Sequence, residues 1–351
     1  MRHLATILML TLVVFAANTS AVAEEEPAME QRLGTFKVEL DNGSYYWCHV
    51  PDDYVSDGSY GIILILHGAG GSADGMLAGY IGRTNFLQEH KYIGVAPKSL
   101  GASWTDNETT PMDALNDAMK KYKHDKERIH ILGYSAGGFF SGWLAYEKPK
   151  LFRTVVIIAA FLARANMGEV KRHKDKPIYL IAGENDPNLA GAKSDYQTLL
   201  QMGARYARLL EVPGMGHNNF PFHNHFPLVF QWYKAMESGY DYAEKLEKAE
   251  KYAKRNYRKA IDLVHEIEKQ PEEKVFWERL AKVKEMIDEK GQKKLKSLML
   301  TLKRKPPEYC IEKLERFLET FKGFPCGDKA EEELKKQREL LKEKKKDEPG
   351  G

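Results

Sequence analysis

Cysteine is scarce. Only Cys48, Cys310 and Cys326 occur in 351 residues, too few for a fold held by a disulfide framework. Cys310 and Cys326 lie near enough in sequence to pair and close a short loop. Cys48 falls in a strand-like run, where a buried free thiol is the simple expectation. Beyond the first residues, no apolar run is long enough to cross a bilayer. An excess of one charge is missing too: Lys and Arg number 53 against 50 Asp and Glu, a net charge of +3, which leaves no electrostatic footprint for nucleic acid. His217, His223 and His225 cluster, but the residues between them are apolar or asparagine. Without carboxylates at ligand spacing, no metal site is expected.

What is present starts with a leader. Arg2 and His3 precede an apolar run from Leu4 to Ala17, and Ala21-Val22-Ala23 stands before Glu24. A basic start, an apolar middle and small residues at the cut make a secretory signal peptide of residues 1–23. The mature chain is therefore expected to be secreted or periplasmic. No cysteine stands at the cut to carry a lipid.

Residues 24–239 alternate between strand and helix. Thr35–Leu40 and Tyr45–Val50 form a hairpin around Asp41-Asn42-Gly43-Ser44. Apolar runs at Ile62–Leu66, Tyr92–Ala96 and Thr154–Ala160 read as buried strands, the first continuous enough to be covered on both faces, and Arg128–Leu132, Ile178–Ala182 and Ala207–Val212 read as further strands. Helical patterns separate them at Met76–His90, Pro111–Tyr122, Phe139–Tyr146 and Asp195–Met202, and one at Pro227–Met236 follows the last. The order predicts eight strands in a mainly parallel sheet with helices on both faces. Ligands of such sheets bind at the carboxyl ends of the strands.

The organising stretch is Gly133-Tyr134-Ser135-Ala136-Gly137-Gly138. A strand runs into it and a helix leaves it, so it is a G-x-S-x-G nucleophile elbow with Ser135 at the tip. A serine hydroxyl needs a base, and an acid must orient that base. Asp186, in Gly183-Glu184-Asn185-Asp186-Pro187, and His217, after Gly214-Met215-Gly216, each follow a later strand on the same edge. Ser, Asp, His is the chain order of an α/β-hydrolase. Glu184 is the rival acid. An oxyanion needs backbone donors, and the N–H groups of Ala136 and Ala69 are the candidates, with Gly70 in reserve. Trp104 and Tyr134 are candidates for the substrate pocket, as are Met112 and Phe139. For Trp104, a packed tryptophan is the alternative.

From Gly61 to Met236, about half of the chain, the sequence resembles the exported α/β-hydrolases grouped as polyhydroxybutyrate depolymerase-like and feruloyl esterase-like. The resemblance rests on Leu66-His67-Gly68, Ala96-Pro97 with Ser103-Trp104, and the run Arg128–Gly138. Pro149 with Leu151-Phe152, Gly183 with Asp186-Pro187, and Gly216-His217 extend it. It implies a serine carboxylic ester hydrolase without a cofactor, acting on a small or polymer-linked ester. Two features depart from the pattern. Asn218-Asn219-Phe220-Pro221 stands where relatives often carry Trp-Pro-Gly, and the dense disulfides of many secreted esterases are missing. Two other readings stay open: a peptidase of the prolyl-oligopeptidase kind, and a non-catalytic binding protein on a hydrolase scaffold.

From Asp241 onward, 30 Lys and Arg and 25 Asp and Glu make up half of the residues. Tyr242 to Ile267 carries one amphipathic stripe at three- and four-residue steps, the mark of a long helix. Further stripes run from Phe276 to Ile287, Leu295 to Leu302 and Ile311 to Phe321, punctuated by Pro271, Gly291 and Pro306-Pro307. Residues 240–341 are thus expected to form a helical bundle or degenerate helical repeat, although no clear repeat signature is present. It reads as a charged bundle packed on the hydrolase, with a protein-binding module as the alternative. Residues 342–351 are expected to be a disordered Lys-rich tail.

Overall fold

A computed structural model of the chain describes residues 32–80, 85–101, 104–218, 226–270 and 276–347. The expected leader, Ser103, Asn219 to Pro221, His223 and His225 lie outside the described residues. In chain order the strands are β1 (Gly34–Glu39), β2 (Tyr45–Val50), β3 (Gly61–Leu66), β4 (Tyr92–Pro97), β5 (Ile129–Tyr134), β6 (Thr154–Ile158), β7 (Ile178–Asn185) and β8 (Ala207–Gly216). They form one sheet in the order β1-β2-β4-β3-β5-β6-β7-β8. β1 and β2 pair antiparallel, as do β2 and β4, and all other neighbours are parallel.

Every residue of β3, β4 and β6 is buried, as continuous apolar runs require in a sheet covered on both sides. The period of two divides the side chains between two cores. Ile63 and Ile65 enter one, and Ile62, Leu64 and Leu66 the other. The second core is closed by α3 (Thr110–Lys121) and α4 (Ala136–Glu147), through Ala114, Leu115, Phe140 and Leu144. The first is closed by α1 (Ala73–Tyr80) and α7 (Phe226–Glu237), through Met76, Leu77, Val229, Phe230 and Tyr233. Within the span expected to be one helix, Met76–His90, the described residues give α1 up to Tyr80 and a separate short helix, α2 (Phe86–Glu89), preceded by Asn85 at a left-handed φ of 55°. Between β6 and β8 stand α5 (Met167–Arg172) and α6 (Leu189–Gln201).

The helices after Gly239 continue the first core. These are α8 (Tyr242–Arg255), α9 (Tyr257–Glu268), α10 (Trp277–Leu302), α11 (Pro307–Phe321) and α12 (Pro325–Asp347). Tyr242, Leu246, Phe276, Leu280 and Ile287 join Tyr179 and Trp232 in one apolar cluster. The Trp232 and Phe276 rings lie 6.1 Å apart, and the Tyr206 hydroxyl donates to Asp241 at 2.8 Å. Leu33 to the end is one compact unit.

Here the structure departs from sequence expectation at several points. The long stripe from Tyr242 is two helices, because Asn256 leaves helical geometry and its side chain accepts from the Lys259 N–H as a cap of α9. Gly291 does not end a helix. It lies inside α10, where a Cβ would stand 2.3 Å from Cys326 Sγ, so its role is close approach. Cys310 and Cys326 are unpaired and buried. Cys326 packs in the large core beside Phe321, while Cys310 sits in a separate cluster with Leu302 and Leu314. The Lys-rich end remains helical as far as Asp347, with no proline before Pro349 to stop it.

At the amino ends of the central strands, Glu237 ties α7 to the sheet. It accepts from Arg128 Nε at 2.9 Å, from His130 Nε2 at 2.7 Å and from the Tyr92 hydroxyl. His130 is fully buried, and its Nδ1 faces Thr154 Oγ1 at 2.8 Å. Burial pushes the His130 pKa below its ordinary 6.5 despite the carboxylate beside it, so the neutral ring donates from Nε2 and accepts from Thr154. Burial alone would raise the Glu237 pKa. The donors from His130 and Tyr92 and the Arg128 charge outweigh it and hold the carboxyl low. Both depressions act in one direction: stability is present above the unfolded pKa values and is lost as pH falls, beginning near 6.5 with His130. Removing one partner of such a buried pair costs about 3 kcal/mol. Glu237→Gln is expected to lower the unfolding free energy obtained from urea titration by that amount, seen as a lower midpoint at unchanged slope. Turnover should be unchanged in the folded fraction, because Ser135 lies about 16 Å farther along the strand.

Candidate active site

β5 delivers Ser135 to the carboxyl edge of the sheet. Ser135 adopts φ 51° and ψ −116°, a conformation that L-residues avoid. Its N–H donates to Ile158 O at 2.8 Å, and its carbonyl accepts from Phe139 N–H at 3.0 Å to begin α4. The flanking glycines make the turn possible. A Cβ on Gly133 would lie 2.1 Å from Gly137 O, and one on Gly137 would lie 2.3 Å from Leu66 O.

Three side chains meet there. Ser135 Oγ is 2.9 Å from His217 Nε2, and His217 Nδ1 is 3.0 Å from Asp186 Oδ2. β7 and β8 run farther than expected, and the pairing Asn185↔Gly216 carries both partners to the edge together. The Asp186 side chain is fully buried, whereas that of His217 is 26% exposed. Asp186 Oδ1 also accepts from Asn188 N–H at 2.8 Å, which fixes the carboxylate plane. Glu184, the rival acid, is exposed and accepts instead from Gly214 N–H at 2.8 Å. It therefore holds the β8 turn and does not face the imidazole.

The turn after β3 lies against the elbow. A Cβ on Gly68 would be 3.3 Å from Ser135 Cβ. Ala69 and Gly70 follow, exposed, and Ala136 opens α4 where the first helical N–H groups have no partner within the helix. The turn is braced by residues that sequence reasoning missed. Buried His67 donates from Nδ1 to Gly68 O at 2.7 Å and accepts at Nε2 from Ser99 N–H at 3.1 Å. Burial holds its pKa below the ordinary histidine value, in keeping with that neutral tautomer. Lys98 Nζ donates to Gly71 O at 2.7 Å. The only sequence signal was a histidine that continues a buried strand into glycines.

Trp104 is not exposed to a pocket. It is 1% accessible, and its Nε1–H donates to His67 O at 2.8 Å. It supports the turn from below. Tyr134 is half-buried between strand and site, and its ring stacks on His217 at 5.5 Å. Met112 and Phe139 pack against the second core. Among the described residues, no group of three His, Cys, Asp or Glu is placed to hold a metal ion.

The strand order and the serine at a strand–helix elbow define an α/β-hydrolase. Comparison with known proteins agrees. The sequence model of the prolyl oligopeptidase family matches residues 104–229, which include the elbow, Asp186 and His217. A probable feruloyl esterase C of Aspergillus terreus is 31% identical over 191 residues, covering 52% of this chain and 69% of the relative. A protein of the same description from Aspergillus niger is 28% identical over 189 residues, covering 51% and 68%. A solved ferulic acid esterase superposes with a TM-score of 0.51 at 16% identity, over 58% of this chain and 98% of its own, a likeness of fold. The chain belongs to the feruloyl esterase-like family of α/β-hydrolases and is a carboxylic ester hydrolase.

Gly68 tests the close packing at this edge. A methyl there would stand 2.9 Å from Tyr134 Cδ1 and displace the turn. Gly68→Ala is expected to lower kcat/KM on p-nitrophenyl acetate by roughly 10²-fold and to lower the urea midpoint, at a cost of about 1–3 kcal/mol in stability.

Proposed function

We propose that Ser135, His217 and Asp186 are the catalytic triad of an exported serine esterase that works through an acyl-enzyme. The observation that carries the reading is the unbroken chain of two hydrogen bonds, 2.9 Å and 3.0 Å, from hydroxyl through imidazole to a buried carboxylate. Neutral His217 carries its proton on Nδ1, where Asp186 accepts it, and leaves Nε2 free to take the proton of Ser135. Ser135 Oγ attacks the ester carbonyl. The oxyanion is held by the backbone N–H groups of Ala136 and Ala69, with help from the positive end of α4. The imidazolium gives its proton to the departing alcohol. Water, deprotonated by the same ring, then releases the acid and restores Ser135.

The acyl group is proposed to be a hydroxycinnamate such as ferulate. The two Aspergillus relatives support this, since both carry feruloyl esterase in their names. Acetyl-sugar and hydroxyalkanoate esters are the comparison substrates. The leader-like residues 1–23 support export, and no helix among the described residues is long and apolar enough to cross a membrane.

Ser135→Ala is expected to abolish hydrolysis of methyl ferulate and p-nitrophenyl acetate, and labelling by a fluorophosphonate probe, in a folded protein. Retained turnover would overturn the assignment. Asp186→Asn should lower kcat by about 10⁴-fold, while Glu184→Gln should stay within about twofold. A second reading, peptide hydrolysis, is favoured by the match to the prolyl oligopeptidase family. Parallel assays separate the two. Ester turnover without cleavage of a prolyl arylamide supports the esterase, and the reverse supports the peptidase.

A further inference from the structure

The hydroxyl of Tyr134 donates to the backbone carbonyl of His217. Its ring stacks on the imidazole, with centroids 5.5 Å apart and planes 28° from parallel. The same ring closes against the turn after β3, where a Cβ on Gly68 would lie 2.9 Å from Tyr134 Cδ1. One side chain therefore touches the segment bearing the base and the segment bearing the proposed oxyanion donor, and its residue directly precedes Ser135 in the chain. We propose that Tyr134 is the positioning residue that sets the orientation of His217 towards Ser135. This rests on the triad reading above.

The need for such a residue follows from the local chain. β8 ends at Gly216, so the carbonyl of His217 has left the ladder. The imidazole is held by Asp186 at Nδ1, while its bond at Nε2 is to the Ser135 hydroxyl, the group that reacts, so only the Nδ1 bond is independent of the reacting atoms and it leaves rotation about the side-chain torsions open. Fixing the backbone carbonyl and one ring face removes that freedom. The Tyr134 hydroxyl keeps its proton for this task, since burial and then the nearby Asp186 charge raise its pKa. Tyr134 receives no proton in the reaction and is given no contact with substrate. It acts through the base, so its loss should slow the chemistry without weakening substrate binding.

The test uses the full-length enzyme, with Tyr134→Phe and Tyr134→Leu. Phenylalanine keeps the ring and removes the bond to His217, and leucine removes both. Tyr134→Phe is expected to lower kcat on p-nitrophenyl acetate, and the rate of fluorophosphonate labelling, by roughly tenfold. KM and the melting temperature should stay at wild-type values. Tyr134→Leu should lose roughly a further tenfold, so that phenylalanine counts as partial rescue. A labelled, active wild type matched by Tyr134→Phe in kcat overturns this inference alone. A rise in KM at constant kcat also overturns it, because it would make Tyr134 a pocket residue. A wild type that is not labelled at Ser135 removes the triad reading and this inference with it.

Discussion

The site depends on one strained residue. Ser135 sits at φ 51°, a conformation that costs on the order of 1–3 kcal/mol and persists only where its surroundings leave no alternative. Those surroundings are specific. Ile158 O captures the Ser135 N–H. Gly133 and Gly137 bring the backbones of β5, α4 and the end of β3 closer than any side chain permits. Because the turn is this tight, α4 starts at the residue after Ser135, and the positive end of its dipole arrives beside the Ser135 hydroxyl.

Around that turn the protein builds rigidity in layers. His67 joins the β3 turn to the loop after β4 through Ser99, and Trp104 fills the space beneath. Asn188 holds Asp186 and also donates to Ala159 O at 2.8 Å, linking the acid to the loop after β6. At the opposite edge Glu237 clamps α7 to β4 and β5. The C-terminal helices then extend the core on that side of the sheet, with Phe276 and Tyr242 stacked 4.9 Å apart. The braces at His67, Trp104 and Asn188 hold the backbones that form the site, whereas the Glu237 clamp and the C-terminal helices hold the sheet itself.

The parts legible in the sequence were those written in local pattern. Apolar runs of five to seven residues announced the central strands, because a strand buried on both faces admits a polar residue only with a partner. The Ser135 elbow was legible because its glycines are demanded by sterics. Strand order was not, since β4 crosses outside β3 without a mark in either strand. Asn256 hid a helix break because the apolar stripe continues in phase across it. Gly291 resembled punctuation because a glycine that admits a neighbouring sulfur and one that ends a helix look alike in one chain. Trp104 drew attention as a pocket residue, yet its partner is a backbone carbonyl that no side-chain pattern records. His130 carried a readable hint, since a titratable residue inside a buried strand needs a partner, but nothing local pointed to Glu237.

The most direct test of the account is the identity of the covalent intermediate. Enzyme mixed with p-nitrophenyl acetate and quenched in acid within the first turnover should gain one acetyl group by intact mass. Peptide mapping should place it on the segment containing Ser135. An adduct on any other residue, or steady turnover with no adduct at any quench time and no burst of nitrophenol, would contradict it.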